Sequence, residues 1–337
     1  LLKPFAFFLL LLLAGCTGCW GDRDAIDTSD VQLEIDIYRL DTLLFHASRD
    51  SLHTASLRAH AELGDLYQIY IEDILQGAPI GDPQLSVMLS RFVNDPDWSA
   101  VQEAIDSVFA DMEPQEEDFS NAFARLKVLF PDSTTPRIVA FNSGFNYGIY
   151  PTEDALMLGL EWFIGQQHPV IGHLAPDAFP QYVKDRMHPE MLVPSAVKGW
   201  LMVHYLKQTP GEDVLTHLVE TGKVMVLLDA LLPDTPPHLK FAFSQEQLKW
   251  TEANEFNLWK EIVNSDKLFS KKPIDVNRFL NDAPFTPGFP RESPGHIGEW
   301  IGYRMVRAYL DNDPNVTFEQ LFQMNDPREI LKHYKPK

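Results

Sequence analysis

The sequence predicts an α+β fold, predominantly helical with a small β-sheet, as a single large domain over residues 31–337. Three observations carry that expectation. Apolar residues recur at helical spacing through most of the chain, interrupted by proline and glycine. Only three short runs, at 31–37, 137–141 and 155–160, read as strands. Two capping boxes, Ser244 with Gln247 and Thr317 with Gln320, mark helix starts, because hydroxyl and amide side chains there satisfy otherwise free backbone groups.

Taken in order, Lys3 is followed by an apolar run from Phe5 to Ala14. That is signal-peptide length, far short of the roughly 20 residues that span a bilayer. Leu13-Ala14-Gly15-Cys16 reads as a lipobox, so residues 1–15 are expected to be a leader and Cys16 the lipidated residue. Residues 16–30, with Gly18, Gly21, Asp22, Asp24, Asp27 and Asp30, read as an acidic tether. Val31, Leu33, Ile35 and Ile37 alternate with Gln32, Glu34, Asp36 and Tyr38, the period of a half-buried strand. Successive helices are expected from about 43 to 130, broken at Gly77-Ala78-Pro79, Asn94-Asp95-Pro96-Asp97 and Glu113-Pro114. Arg137 to Phe141 and Ala155 to Leu160 read as strands joined by a hairpin loop at 142–151. That loop resembles a phosphate loop but lacks the lysine-serine end. Helices are expected at 176–187, 189–207 and 212–232, and Pro284, Pro287, Pro290 and Pro294 form a loop leading to the last long helix.

With 337 residues, 45% hydrophobic and 12% aromatic, the chain can bury a sizeable core. Its formal net charge of -20 repels phosphate backbones and anionic head groups. Nucleic acid is therefore not expected as a partner, and attachment to a membrane must come from the lipid. The 2 cysteines, Cys16 and Cys19, leave no internal disulfide once the first is lipidated. A multiply acylated N-terminus is a stable anchor, since each buried methylene contributes about 0.8 kcal/mol. No aspartate follows Cys16, which by analogy with bacterial lipoproteins points to the outer membrane.

The stretch from Ser293 to Leu310 is the richest. Ser293 as cap and Pro294 at the first position would open a helix. Ile297, Trp300, Ile301, Met305 and Ala308 make an apolar face. Gly295, Gly298 and Gly302 share a second sector, although each costs a helix roughly 1 kcal/mol, which implies close packing against their backbone. His296, Glu299, Tyr303 and Arg307 form a third strip at three- and four-residue spacing, a hydrogen-bonded network or, through His and Glu, a metal site.

The pattern Ser-Pro-Gly-x-x-Gly-x-Trp-x-Gly followed by Val306-Arg307-x-Tyr309 resembles the signature of the gliding-motility lipoprotein GldB family of Bacteroidetes. The resemblance extends through Gly222-Lys223, the Leu227 to Pro233 run, Gln247 with Trp250, Asn254-Glu255, Trp259 and Ala283-Pro284-Phe285-Thr286. The family more often carries arginine at 296 and tryptophan at 303, so His296 and Tyr303 depart from it. The resemblance implies cell-envelope partners of a gliding and secretion apparatus. The layout is also similar to zincin-type peptidases, whose metal site requires His-Glu-x-x-His on one helix. None of the 11 histidines begins that motif or its inverse, so a zincin-like fold here would be degenerate.

Gly-x-Ser-x-Gly is absent, and among 48 acidic residues paired carboxylates arise by chance. Glu252, Glu255 and Trp259, with Asn254, could face a cleft or form a partly solvated helix face. His168, His173 and His188 read as loop histidines. Three functions stay open. The first is a non-catalytic, membrane-anchored accessory lipoprotein with no cofactor beyond its lipid. The second is a metallohydrolase with a non-standard site from His204, His296 and Glu299. The third is a peptide-binding module that kept a peptidase groove.

Overall fold

The computed structural model describes residues 26–207 and 211–337. The expected leader, Cys16 and most of the tether lie outside the described residues. The chain enters through β1 (Ile37–Arg39) and α1 (Leu40–Phe45), then α2 (Leu52–Leu63) and α3 (Asp65–Gln68), which continues as a π-turn over Ile69–Ile74. Three longer helices follow, α4 (Pro83–Val93), α5 (Pro96–Val108) and α6 (Glu113–Leu129). Aspartates cap the first two, Asp82 and Asp95, each directly before a proline at the first helical position.

β2 (Arg137–Phe141), β3 (Ile149–Pro151) and β4 (Ala155–Gly159) complete a sheet of order β1-β2-β4-β3. β1, β2 and β4 are parallel and β3 is an antiparallel edge. Helices cover both faces, which is why β2 and β4 read as unbroken apolar runs. Val139, Phe141 and Met157 face a core shared with α1–α4, and Ile138, Ala140, Leu156 and Leu158 face a larger core built by the later helices.

After short helices α7 (Pro169–His173) and α8 (Gln181–Lys184) come α9 (Leu192–Tyr205) and α10 (Val214–Leu231). The remainder is α11 (Pro237–Lys240), α12 (Gln245–Ala253), α13 (Glu255–Asn264), α14 (Pro273–Leu280), α15 (Ile297–Asn312), α16 (Phe318–Gln323) and α17 (Pro327–Leu331). Nearly every residue of α10 is buried, the Glu220–Lys223 ion pair at 2.7 Å included, so the helix sits inside the core. Among the described residues no helix is long and apolar enough to cross a membrane. The α+β class and both capping boxes are present as the sequence indicates.

Several local expectations are corrected. Burial does alternate over 31–37, but the ladder begins only at Ile37. The amides of Ile35 and Ile37 instead donate to Ser120 Oγ and Glu116 Oε1 of α6, each at 2.9 Å, so helix side chains replace a strand partner. β2 and β4 are parallel and cannot be a hairpin; the hairpin is β3–β4, and residues 142–148 cross the end of the sheet. Of 176–187 only Gln181–Lys184 is helical. The last long helix starts three residues later than Ser293 and Pro294 suggest. Ser293 donates to Pro290 O at 2.7 Å, and Pro294 O accepts from Thr286 Oγ1 at 2.8 Å, so both belong to the loop.

Candidate functional site

α15 lies along α10 with backbone against backbone. A Cβ on Gly302 would collide with the Leu218 carbonyl and stand 3.1 Å from Gly222 N; one on Gly222 would strike the Gly302 backbone. On Gly298 it would stand 2.6 Å from Leu218 Cδ2 and 2.8 Å from Phe279 O, and on Gly295 it would strike Ala283 O.

The polar strip fans out from this helix pair to several elements. His296, 5% exposed, precedes the helix in a left-handed conformation (φ 39°). Its Nε2 donates to Phe241 O at 2.9 Å and its Nδ1 faces Asp282 Oδ1 at 3.3 Å. Burial pushes the Asp282 carboxyl up, but His296 and Arg186, the latter at 2.7 Å, outweigh it and hold the group at about 2. Glu299 Oε2 pairs with Lys198 Nζ of α9 at 2.6 Å. Tyr303 donates to Asp229 Oδ2 of α10 at 2.9 Å, and Lys240 Nζ holds the other oxygen at 2.5 Å. Glu255 Oε1 accepts from Arg304 Nε at 3.2 Å and from the Tyr334 hydroxyl at 3.0 Å; burial and that carboxylate push the Tyr334 phenol well up. Arg307 is half-buried on the same helix.

The three residues proposed as metal ligands do not converge. His204 is exposed near the C-terminal end of α9, its ring stacked on Trp200 at 3.9 Å, and partial burial lowers its pKa. His296 presents both ring nitrogens to acceptors, and Glu299 is held by Lys198. Among the described residues no three His, Cys, Asp or Glu side chains form a group that could hold a metal ion. His168, expected in a loop, caps α7 through Nδ1.

Two cavities flank the helix pair. Glu252 and Glu255 line one of about 300 Å³ with Phe241, Trp300, Tyr303 and Arg304. Trp259, which the sequence groups with them, packs edge-on against Tyr334 at 5.1 Å instead. The other, about 520 Å³, opens at the start of α10 beside Asp213, His217, Lys207, Lys271 and Arg328. It is no anion cradle, because the first α10 amides already bond Ser270 O, Leu268 O and the Asp213 carboxylate.

One buried group escapes any reading of the sequence. Glu161 is fully buried beyond β4, and its Oε1 accepts from Ser143 N at 2.8 Å, Ser143 Oγ at 2.6 Å and Phe145 N at 3.1 Å. Burial pushes its carboxyl up to about 7 despite those bonds. The loop that resembles a phosphate loop does gather donors around an acceptor, but the acceptor is the chain's own carboxyl. No spacing rule links residue 161 to residue 143.

Fold and site together define a helix-rich α+β domain whose polar groups around a central helix pair are engaged in cross-element ties. The chain belongs to the gliding-motility lipoprotein family: the family model described as gliding motility protein GldB matches residues 21–336. No curated protein and no solved structure matches the chain. The zincin-like layout therefore has no structural relative to support it. Family membership associates the protein with gliding motility and with the membrane-anchored lipoproteins of the cell envelope.

Proposed function

We infer that the protein is a non-catalytic accessory component of the gliding and secretion machinery, held to the outer membrane by a lipid on Cys16 and acting through contacts of its folded domain. The observation that carries the reading is the commitment of the polar side chains of α15. His296, Glu299 and Tyr303 each close a tie to a different element, which makes the helix a hub of rigidity.

Two variants in the host test this. Cys16→Ala should release the folded protein from membranes and abolish surface spreading; a variant that still fractionates with membranes removes the anchor. Glu299→Gln should lower the melting temperature while spreading persists at a permissive temperature. Spreading lost from a Glu299→Gln protein of unchanged stability and abundance would overturn the non-catalytic reading.

A further inference from the structure

α13 and α14 are joined by a turn over residues 265–272. Arg278 Nη2 reaches Glu261 Oε1 at 3.7 Å across the two helices, and Asp275 binds Lys267 Nζ at 3.2 Å and Ser270 Oγ at 2.7 Å across the turn. The turn is fixed from behind, since α10 donates to it through Val214 N to Ser270 O and Leu215 N to Leu268 O. Leu268 is buried by that anchoring, yet apolar residues on either side of it are exposed. Val263 is 41% exposed, Ile274 75%, and Phe269, one face of which carries the Arg328 guanidinium at 5.6 Å, 54%. Water-facing aliphatic and aromatic side chains grouped at one rigid tip call for a covering surface.

The charge around the tip identifies that surface. Residues 26–248 hold 33 acidic against 13 basic side chains, whereas residues 249–337 hold 13 of each. At the tip the sign reverses. Over residues 260–278 Lys260, Lys267, Lys271, Lys272 and Arg278 stand against Glu261, Asp266 and Asp275, and two of those carboxylates are already tied, Glu261 to Arg278 and Asp275 to Lys267. Apolar tips flanked by lysines suit the headgroup region of a bilayer, where rings and aliphatic chains enter the acyl boundary while ammonium groups stay with the phosphates.

We propose that the tip formed by this turn docks on an anionic phospholipid surface, with Phe269 and Ile274 entering the headgroup layer and Lys260, Lys271 and Lys272 meeting the phosphates. The proposal goes beyond lipid anchorage, on which it rests for proximity: the lipid holds the domain near the bilayer, and the tip fixes which face is turned toward it. The acidic remainder then faces away, repelled by the same surface. Each lysine near such a surface favours binding by about fivefold at physiological salt.

The test uses the full chain reconstituted in phosphatidylcholine vesicles with and without phosphatidylglycerol, and in detergent. Lysine acetylation is read by mass spectrometry. Modification of Lys260, Lys271 and Lys272 should fall about fivefold or more in the anionic vesicles. It should return in a Phe269→Glu, Ile274→Glu variant whose melting is unchanged. Equal modification in all three settings would overturn the proposal. Protection already present in detergent would do so too, since a second copy would then be covering the tip. Flotation of the same samples reports the anchor separately, so failed anchorage is distinguishable from a failed tip.

Discussion

Replacing Gly302 with Ala sets two effects of known sign against each other. In an isolated helix, Gly→Ala stabilises by about 1 kcal/mol through chain entropy. Here the added methyl would meet the Leu218 carbonyl and the Gly222 amide, both backbone atoms of a buried helix that cannot swing aside like a side chain. The axes of α10 and α15 must separate, loosening Leu218, Ile301 and Met305, all fully buried. Overpacking of a well-filled core costs about 1–3 kcal/mol, and an immovable obstacle places this site at or above the top of that range. The net expectation is destabilisation by about 2 kcal/mol, a fall of several degrees in melting temperature. Urea titration should show a lower midpoint with an unchanged slope. Gly172→Ala is the control, because a Cβ there meets nothing within 4 Å. A Gly302→Ala protein as stable as wild type would refute the argument that the glycines exist for backbone contact.

Other outcomes follow from the buried charges. Glu161 has its folded pKa raised from 4.5 to about 7, so its contribution is fully present below 4.5 and is lost as pH rises through 7. Stability at pH 8 should be lower than at pH 5 by roughly 3 kcal/mol from this group, and Glu161→Gln should flatten that slope. Matching urea midpoint profiles for the two proteins would exclude Glu161 as the source. Asp282 is the opposite case: its pKa is depressed from 3.8 to about 2, so its stabilisation is present above 3.8 and disappears as pH falls through 2. Because it is partly solvated, Asp282→Asn should cost only about 1 kcal/mol at pH 7, with the gap to wild type narrowing below pH 4. For the Lys198 and Glu299 pair, Glu299→Ala should cost about 2 kcal/mol, and adding Lys198→Met should recover part of it. Strict additivity in that double-mutant cycle would show the pair to be uncoupled.

What the sequence disclosed depends on the range of the interaction. Ser244 with Gln247 and Thr317 with Gln320 are visible because a capping box is closed within one turn. The glycine sector of α15 is visible because helical period alone gathers Gly298 and Gly302. What they pack against is set by Leu218 and Gly222, about 80 residues away. The start of α15 was misplaced because Ser293 and Pro294 have the chemistry of a helix opening. Bonds within the proline-rich loop, Ser293 to Pro290 and Thr286 to Pro294, take up those groups instead, and His296 takes the cap position in a left-handed conformation. β2 and β4 look like a hairpin in the sequence because neighbouring strands usually pair, whereas β3 inserts its own short hairpin at the edge. Of the site, the polar strip was legible as a strip, but its partners Asp282, Lys198 and Asp229 lie on three separate segments. The carboxylate of Glu161 inside the 142–148 loop left no local trace at all.

The helix at the centre also sets an order of events. α10 is buried along most of its length, and 65 residues separate its end at Leu231 from the start of α15 at Ile297. A chain still being made therefore holds α10 packed on α6 and α9 but open along the side that Gly222 marks, until the glycine face of α15 arrives to close it. Contacts of such long sequence separation form late and leave an aggregation-prone species in the interval. A chain cut at Pro294 would never pass that point. Its first 293 residues, strands and capped helices included, would have lost the surface that makes α10 an interior.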